Sequence, residues 1–275
     1  MGGRFSRSLD MIKYSASILK QDRELVIFPL LSSIAGILIV LSFVPLFLQT
    51  EDDPNAQTVN MILLGLIYLA EYFVVFFFNC ALAGAAMIRM DGGNPNVGDG
   101  LRIAWSKVGT IFGYTLIAAT VGLLLRMIGE RMGLVGRIVS GLIGVAWTVA
   151  SFLVVPVLVS RDIGPVEAVR ESATLLKQTW GENLISNAGI GFVFGFAYLV
   201  LGGIAALLIS ASMNNPPVLF TLIGIFAVCL ILLTLTQAAL QGIFSVVLYR
   251  YAADGENPDG FPPGALNEVF APKLN

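Results

Sequence analysis

The sequence predicts an all-α, polytopic membrane protein of about six transmembrane helices, on three observations: its hydropathy, the length of its apolar runs and an internal repeat. Hydrophobic residues make up 56% of the 275 residues and charged ones 12%, with a mean hydropathy of +0.84. Soluble domains carry about 25% charge, so most of this chain's solvent is expected to be lipid. A bilayer core of about 30 Å takes about 20 helical residues to cross. Runs of that kind extend from Val26 to Leu48, Val59 to Ile88, Val108 to Met127, Ile138 to Ser160, Leu184 to Ser212 and Val218 to Leu248. Several are longer than a perpendicular span needs, so those helices are expected to tilt or to project beyond the hydrocarbon.

The residues ahead of the first run are mostly polar and charged, and no small-residue cleavage site ends that run. The first span is therefore expected to be retained, not removed as a signal peptide. The start Met1-Gly2-Gly3-Arg4-Phe5-Ser6 fits a short myristoylation pattern that is common by chance. Alternating the loops between the two sides groups Arg4, Arg7, Lys13, Lys20 and Arg23 with Arg89, Arg102, Lys107, Arg161, Arg170, Lys177, Arg250 and Lys273. By the positive-inside rule that side is cytoplasmic, which puts both termini inside. The opposite loops are Gln49 to Thr58, with Glu51, Asp52 and Asp53 and no cation, and the turn around Asn214 to Pro217. The segment from Arg126 to Arg137 dissents. Its Arg126, Glu130, Arg131 and Arg137 are spaced as one polar helical face, so it reads as a helical hairpin standing out of the membrane.

A pattern recurs in each cytoplasmic segment before an odd-numbered span. Leu9, Ile12, Ala16 and Leu19 match Gly98, Leu101, Trp105 and Val108, and also Val166, Val169, Ala173 and Leu176. The spacing lines one face of a helix in each copy. Asp10, Asp99 and Glu167 each precede a base by three residues, at Lys13, Arg102 and Arg170, an i to i+3 pair. Asn94-Pro95-Asn96 marks a helix start, as does Pro165 after Gly164, and Gly181 marks a stop. The expected organisation is a single integral domain, 1–275, of three parallel repeats at about 6–88, 96–160 and 164–250, each an amphipathic helix plus a two-span hairpin. A polar tail follows at 251–275. Parallel repeats differ from the inverted repeats common among secondary transporters. The amphipathic helices are expected at the interface, cations toward anionic headgroups; a cytoplasmic collar is the other arrangement. In the tail, Leu266, Val269 and Phe270 permit a short docked helix, with disorder as the competing reading.

Few residues suggest chemistry. The chain has no histidine, so the commonest general base and nitrogen metal ligand are missing, and its net charge of −2 favours neither nucleic acid nor acidic substrates. Cys80 and Cys229 sit in apolar runs, as small buried hydrophobes do. Glu71 is the one acid inside an apolar run, where an ionised carboxylate is costly and points to function or pairing. A location at the outer interface is the competing reading; if Glu71 is buried, Arg126 is the nearest counter-ion by depth. Asn79, Gln237 and Gln241 are intramembrane amides, which more often join helices than line a pathway. Pro45 and Pro156 interrupt the first and fourth runs. Gly109 with Gly113, Gly141 with Gly144, and Gly191 with Gly195 suggest close helix approach. Nucleotide, serine-hydrolase and zinc motifs are missing, and Asp91, Asp99 and Asp162 make only a thin metal argument. Neither a cofactor nor a metal is expected, and the chain is not expected to be an enzyme.

The stretch Ala146-Trp147 through Val155-Pro156-Val157-Leu158-Val159, with Gly164-Pro165-Val166-Glu167-Ala168 and Thr179-Trp180-Gly181-Glu182, resembles an uncharacterised prokaryotic family of integral membrane proteins of unknown function. Arg4-Phe5-Ser6-Arg7-Ser8, Phe28-Pro29-Leu30 and the closing Gly260-Phe261 to Phe270-Ala271-Pro272-Lys273 extend the likeness over nearly the whole chain. The resemblance implies a six-span protein of a prokaryotic plasma membrane, without site residues. A looser likeness, in the helix-plus-hairpin plan, is to the membrane domain attached to some glycerophosphodiester phosphodiesterases.

Two functions compete. In the first, the chain is a structural, lipid-interacting or partner-binding membrane protein whose interfacial helices meet anionic headgroups or an unidentified membrane-protein partner. In the second, a small solute or lipid passes through a cavity on a pseudo-threefold axis lined by Glu71, Asn79 or Gln237. A nearly charge-free membrane interior favours the first.

Overall fold

The computed structural model describes residues 15–49, 56–180 and 189–254. Among them 91% are helical and none is in a strand, as the hydropathy requires. Residues 15–21 are helical and lead through a 3-10 turn, Arg23–Val26, into α1 (Ile27–Gln49). Then follow α2 (Ala56–Met90), α3 (Val97–Ser106), α4 (Val108–Arg131), α5 (Gly133–Ser151) and α6 (Val154–Ser160). The chain closes with α7 (Pro165–Trp180), α8 (Gly189–Ala211) and α9 (Pro216–Asp254). Six helical segments are long and apolar enough to cross a bilayer: Arg23–Gln49, Ala56–Met90, Val108–Arg131, Val135–Ser160, Val193–Ala211 and Pro216–Ala253.

The helices build two layers. A packed basal layer lies at the end that carries Lys20, Arg23, Arg89, Arg102, Lys107, Arg161, Arg170, Lys177 and Arg250. Its main core joins Phe28, the α2 segment from Cys80 to Met87, Ile111 and Tyr114 of α4, α6, and the α9 segment from Ile243 to Tyr249, with a small second cluster at Phe194 and Leu240. The other layer is apolar and splayed. Residues 37–49, 56–76, 120–131, 195–211 and 216–234 contain no buried side chain, and Leu142, Leu199, Leu207 and Phe220 are each more than two thirds exposed. Lipid tails are as apolar as leucine, so exposure there carries no hydrophobic penalty. A span takes about 20 residues, and the surplus length of α2 and α9 runs on into the basal layer.

At the centre of that layer α2 is buried on every side from Cys80 to Met87. Its side chains there are mostly small, so neighbours approach its backbone. A Cβ on Gly100 of α3 would stand 2.6 Å from the Ala81 carbonyl oxygen and 2.5 Å from Cζ of Phe28. Gly84 faces Ile103, and Gly242 of α9 faces Leu82. These glycines are not the expected ones. Gly109, Gly141, Gly191 and Gly195 face open space, and of the spaced pairs only Gly113 meets a close neighbour, Pro165.

The basal helices begin as their sequences direct. Asn96 caps α3 by accepting from the Asp99 amide at 3.0 Å, while Asp99 Oδ2 accepts from the Asn96 amide at 3.0 Å, a reciprocal capping box. Pro165 opens α7. The buried face is shifted from the expected one. Ser15, Ala104 and Ser172, positions that the expected repeat aligns with one another, are all essentially inaccessible, whereas Gly98, Trp105 and Val166 are exposed. Small residues therefore point inward, and part of the apolar stripe points out. Asp99 and Arg102 pair at 3.6 Å as expected, but Glu167 turns back toward Gly164 and makes no ion pair with Arg170.

Pro156 breaks the fourth span. Its ring conflicts with the carbonyl four residues earlier, at Phe152, and the helix is interrupted at Phe152 and Leu153. The freed Leu153 amide donates to the buried Ser172 Oγ of α7 at 3.0 Å. Pro45, by contrast, leaves α1 continuous. At the far end α4 and α5 form the expected helical hairpin, turning at Gly133 with φ +57, a left-handed conformation glycine adopts without strain. The Leu9 and Ile12 positions, the Asp10–Lys13 pair, Glu51 to Asp53, Leu184, Gly181 and the tail helix around Leu266, Val269 and Phe270 lie outside the described residues.

Ser172→Ala leaves the Leu153 amide buried without a partner, which costs about 1–3 kcal/mol. A thermal melt in detergent is expected to show a clear fall in Tm, whereas Thr174→Ala on the exposed face of α7 leaves Tm nearly unchanged. An unaltered melt for Ser172→Ala contradicts the bridging role.

Candidate functional site

Glu71 lies on α2 six residues before Phe77, in the apolar layer. Its carboxylate covers Gly36 of α1: a Cβ there would stand 2.7 Å from Oε2 and 3.3 Å from Oε1. Oε1 is buried and, among the described residues, accepts no hydrogen bond. Gly36 lies about 20 Å from the C-terminal end of α1 and about 12 Å from Phe28, at 1.5 Å per residue. The carboxylate therefore sits between two spans, within the apolar layer. Only a residue without a side chain admits it, and periodicity does not signal Gly36.

The other polar candidates do not join it. Arg126 Nε bonds Glu130 Oε1 at 2.8 Å within α4, and both side chains are mostly exposed, so Arg126 is not the counter-ion of Glu71. An exposed pair of that kind is screened by solvent and contributes little. Gln237 accepts from the Tyr198 hydroxyl at 2.8 Å, and that hydroxyl lies 3.2 Å from Thr234 Oγ1, which clasps α8 to α9. Gln241 is exposed one turn further along, and Asn79 is half-buried beside the core. Glu71, Arg126 and Gln237 thus lie apart: at the α1–α2 contact, on α4 alone and in the α8–α9 clasp.

Aromatic rings on α2 sit beside Glu71 and were not singled out from the sequence. Tyr68 meets Tyr72 at a tilted angle with centroids 4.5 Å apart, Tyr72 meets Phe76 at 5.9 Å, and Phe76 meets Tyr114 of α4 at 4.7 Å. The Tyr68 hydroxyl approaches Gly122. Their recurrence every fourth residue is the signal that could have revealed this seam, because i, i+4 positions share a helix face.

In the basal layer the three acids considered for metal binding are engaged by cations. Asp91 pairs with Arg250 at 2.6 Å, Asp99 with Arg102 at 3.6 Å and Asp162 with Lys107 at 3.1 Å. Arg161 pairs with Glu171 at 3.1 Å, and Arg89 donates to the carbonyls of Gln21 and Gly93 at 3.2 Å. Among the described residues no group of three acids or cysteines assembles a metal site. Cys80 is buried in the core and Cys229 half-buried in the apolar layer.

The contact between Glu71 and Gly36 is testable by a double-mutant cycle. Gly36→Ala is expected to destabilise the protein in the wild-type background and much less in a Glu71→Ala background, with a coupling of about 0.5–3 kcal/mol. Additive effects on Tm contradict the contact.

No curated protein matches the chain. The sequence model of a family described as "Family of unknown function (DUF6159)" matches residues 58–260. The match covers well over half of the chain, from the start of the second span through the end of the sixth. This six-span membrane chain belongs to that family of unknown function.

Proposed function

We propose that the chain is a non-catalytic membrane scaffold whose basal layer faces the cytoplasm and engages anionic lipid headgroups, with both termini inside a prokaryotic plasma membrane. One observation carries this reading: a continuous core welds the basal helices to the ends of the spans, and the rim of that layer combines exposed apolar and cationic side chains. Trp105 and Val166 are 64% and 53% exposed, and Arg102, Arg170 and Lys177 are exposed on the same two helices. An exposed indole beside cations suits the headgroup level of a bilayer. Basic side chains near an anionic surface contribute about 1 kcal/mol each. The matched burial of Ser15, Ala104 and Ser172 supports reading the basal helices as three copies of one unit.

The passage reading retains a single observation, the unpartnered Glu71 oxygen. The separation of Glu71, Arg126 and Gln237 supports the scaffold over a polar pathway. The absence of histidine and the ion-pairing of the basal acids support a non-catalytic role.

Reconstitution in nanodiscs tests this. The Tm is expected to be higher in phosphatidylglycerol than in phosphatidylcholine, with the gain shrinking as salt is raised and the Debye length falls below about 10 Å. Equal Tm values in the two lipids overturn the headgroup reading. Solute efflux from vesicles that is lost in Glu71→Gln would put passage in its place.

A further inference from the structure

A groove of about 270 Å³ runs between α4 and α7, lined by Ile117, Val166, Val169, Arg170 and Ala173. Val166, Val169 and Ala173 are the first three members of the apolar stripe expected on this helix. Only its last member, Leu176, is buried in the core, beside Ala168, Ser172 and Leu175; Val166 is exposed, and Val169 and Ala173 are half-buried at the core's edge. Those three form one wall of an open furrow. Ile117 of the third span forms the other wall, on the side where the splayed apolar layer begins.

The furrow's charge is as uneven as its shape. Nearby cations have acidic partners, Lys107 with Asp162 and Arg161 with Glu171. Arg170 makes no ion pair among the described residues, since its expected partner Glu167 turns back toward Gly164. One wall of hydrocarbon, one guanidinium at the rim and no acid facing it complement a molecule with an apolar chain and an anionic head. A guanidinium binds a phosphate through two parallel hydrogen bonds, which lysine does not reproduce.

We propose that this furrow holds one anionic phospholipid, its phosphate on Arg170 and an acyl chain along Ile117, Val166, Val169 and Ala173. The inference rests on the lipid-engaging reading above and narrows it to one place. A bound lipid wedged between α4 and α7 ties the third span to the third basal helix, beside the Ser172–Leu153 bond that mends the fourth span.

Native mass spectrometry of the full chain, released from detergent with equimolar phosphatidylglycerol and phosphatidylcholine, tests the assignment. The wild type is expected to retain one phosphatidylglycerol in preference to phosphatidylcholine. Arg170→Gln should lower that occupancy about tenfold, the loss of a charge-assisted hydrogen bond. Val169→Trp, which fills the furrow, should lower it as well, and Arg137→Gln, an exposed cation on the distant α4–α5 hairpin, should not. Equal retention of both lipids, or retention unaffected by Arg170→Gln in a folded variant, overturns the proposal. Competition by inorganic phosphate would mark a plain anion site and overturn it too. If no lipid is retained while the nanodisc Tm still depends on headgroup charge, this site fails and the scaffold reading stands. If that dependence is also missing, both fail.

Discussion

The fold depends on one constraint, the complete burial of the basal half of α2. From Cys80 to Met87 this helix has neighbours on every side, and its Ala81, Ala83, Gly84, Ala85 and Ala86 leave almost no side chain to keep them apart. Close packing follows, and with it dispersion contacts that hydrocarbon cannot replace. Phe28 of the first span, Gly100 and Ile103 of α3, and Gly242 of the sixth span all close on this pillar. The Ser160 hydroxyl at the end of the fourth span reaches Met87 Sδ at 3.2 Å. The hairpins are fixed at one end by the same few turns of helix, and beyond that end they are free to diverge.

That divergence explains the contrast between the layers. The apolar layer sits in a solvent as apolar as itself and gains little by packing, so its contacts are local: the carboxylate of Glu71 on Gly36, the hydroxyl of Tyr198 on Gln237, the ring ladder from Tyr68 to Tyr114. The basal layer carries the loops and most of the charge, and it buries its apolar side chains as water-facing structure must. Its ion pairs, such as Arg250 with Asp91 and Lys107 with Asp162, tie distant loops to one another; being partly exposed, they guide the packing more than they stabilise it. The furrow at Arg170 lies where the two layers meet.

Hydropathy and charge made the six spans legible, because crossing a bilayer imposes a length and a composition that a single sequence displays. Helix starts at Asn96 and Pro165 were legible for the same local reason, since capping is written in consecutive residues. The purpose of the long runs was not: α2 and α9 are long because their basal halves form the core, and a run of apolar residues reads alike whether it faces lipid or protein. The inward faces of the basal helices were also missed, because Ala104, Ser172 and Gly100 are small, and a search for apolar stripes selects Trp105 and Val166 instead. Glu71 was singled out by its cost in lipid. Its seat on Gly36 and the pairing of Arg126 with Glu130 depend on how helices face one another, which spacing along one helix does not determine.

The central claim, a packed basal layer beneath a splayed apolar one, is tested most directly by nitroxide scanning of α2 in nanodiscs. Single cysteines from Leu66 to Met90 would be labelled in a background where Cys80 and Cys229 are alanine, and collisions with oxygen and with a water-soluble nickel chelate measured. The account predicts high oxygen access on the lipid side before Phe77, then low access to both reagents around the whole helix from Ala81 to Met87. Oxygen access that keeps a helical period through to Met87 would show one face of the pillar open to lipid and would contradict it.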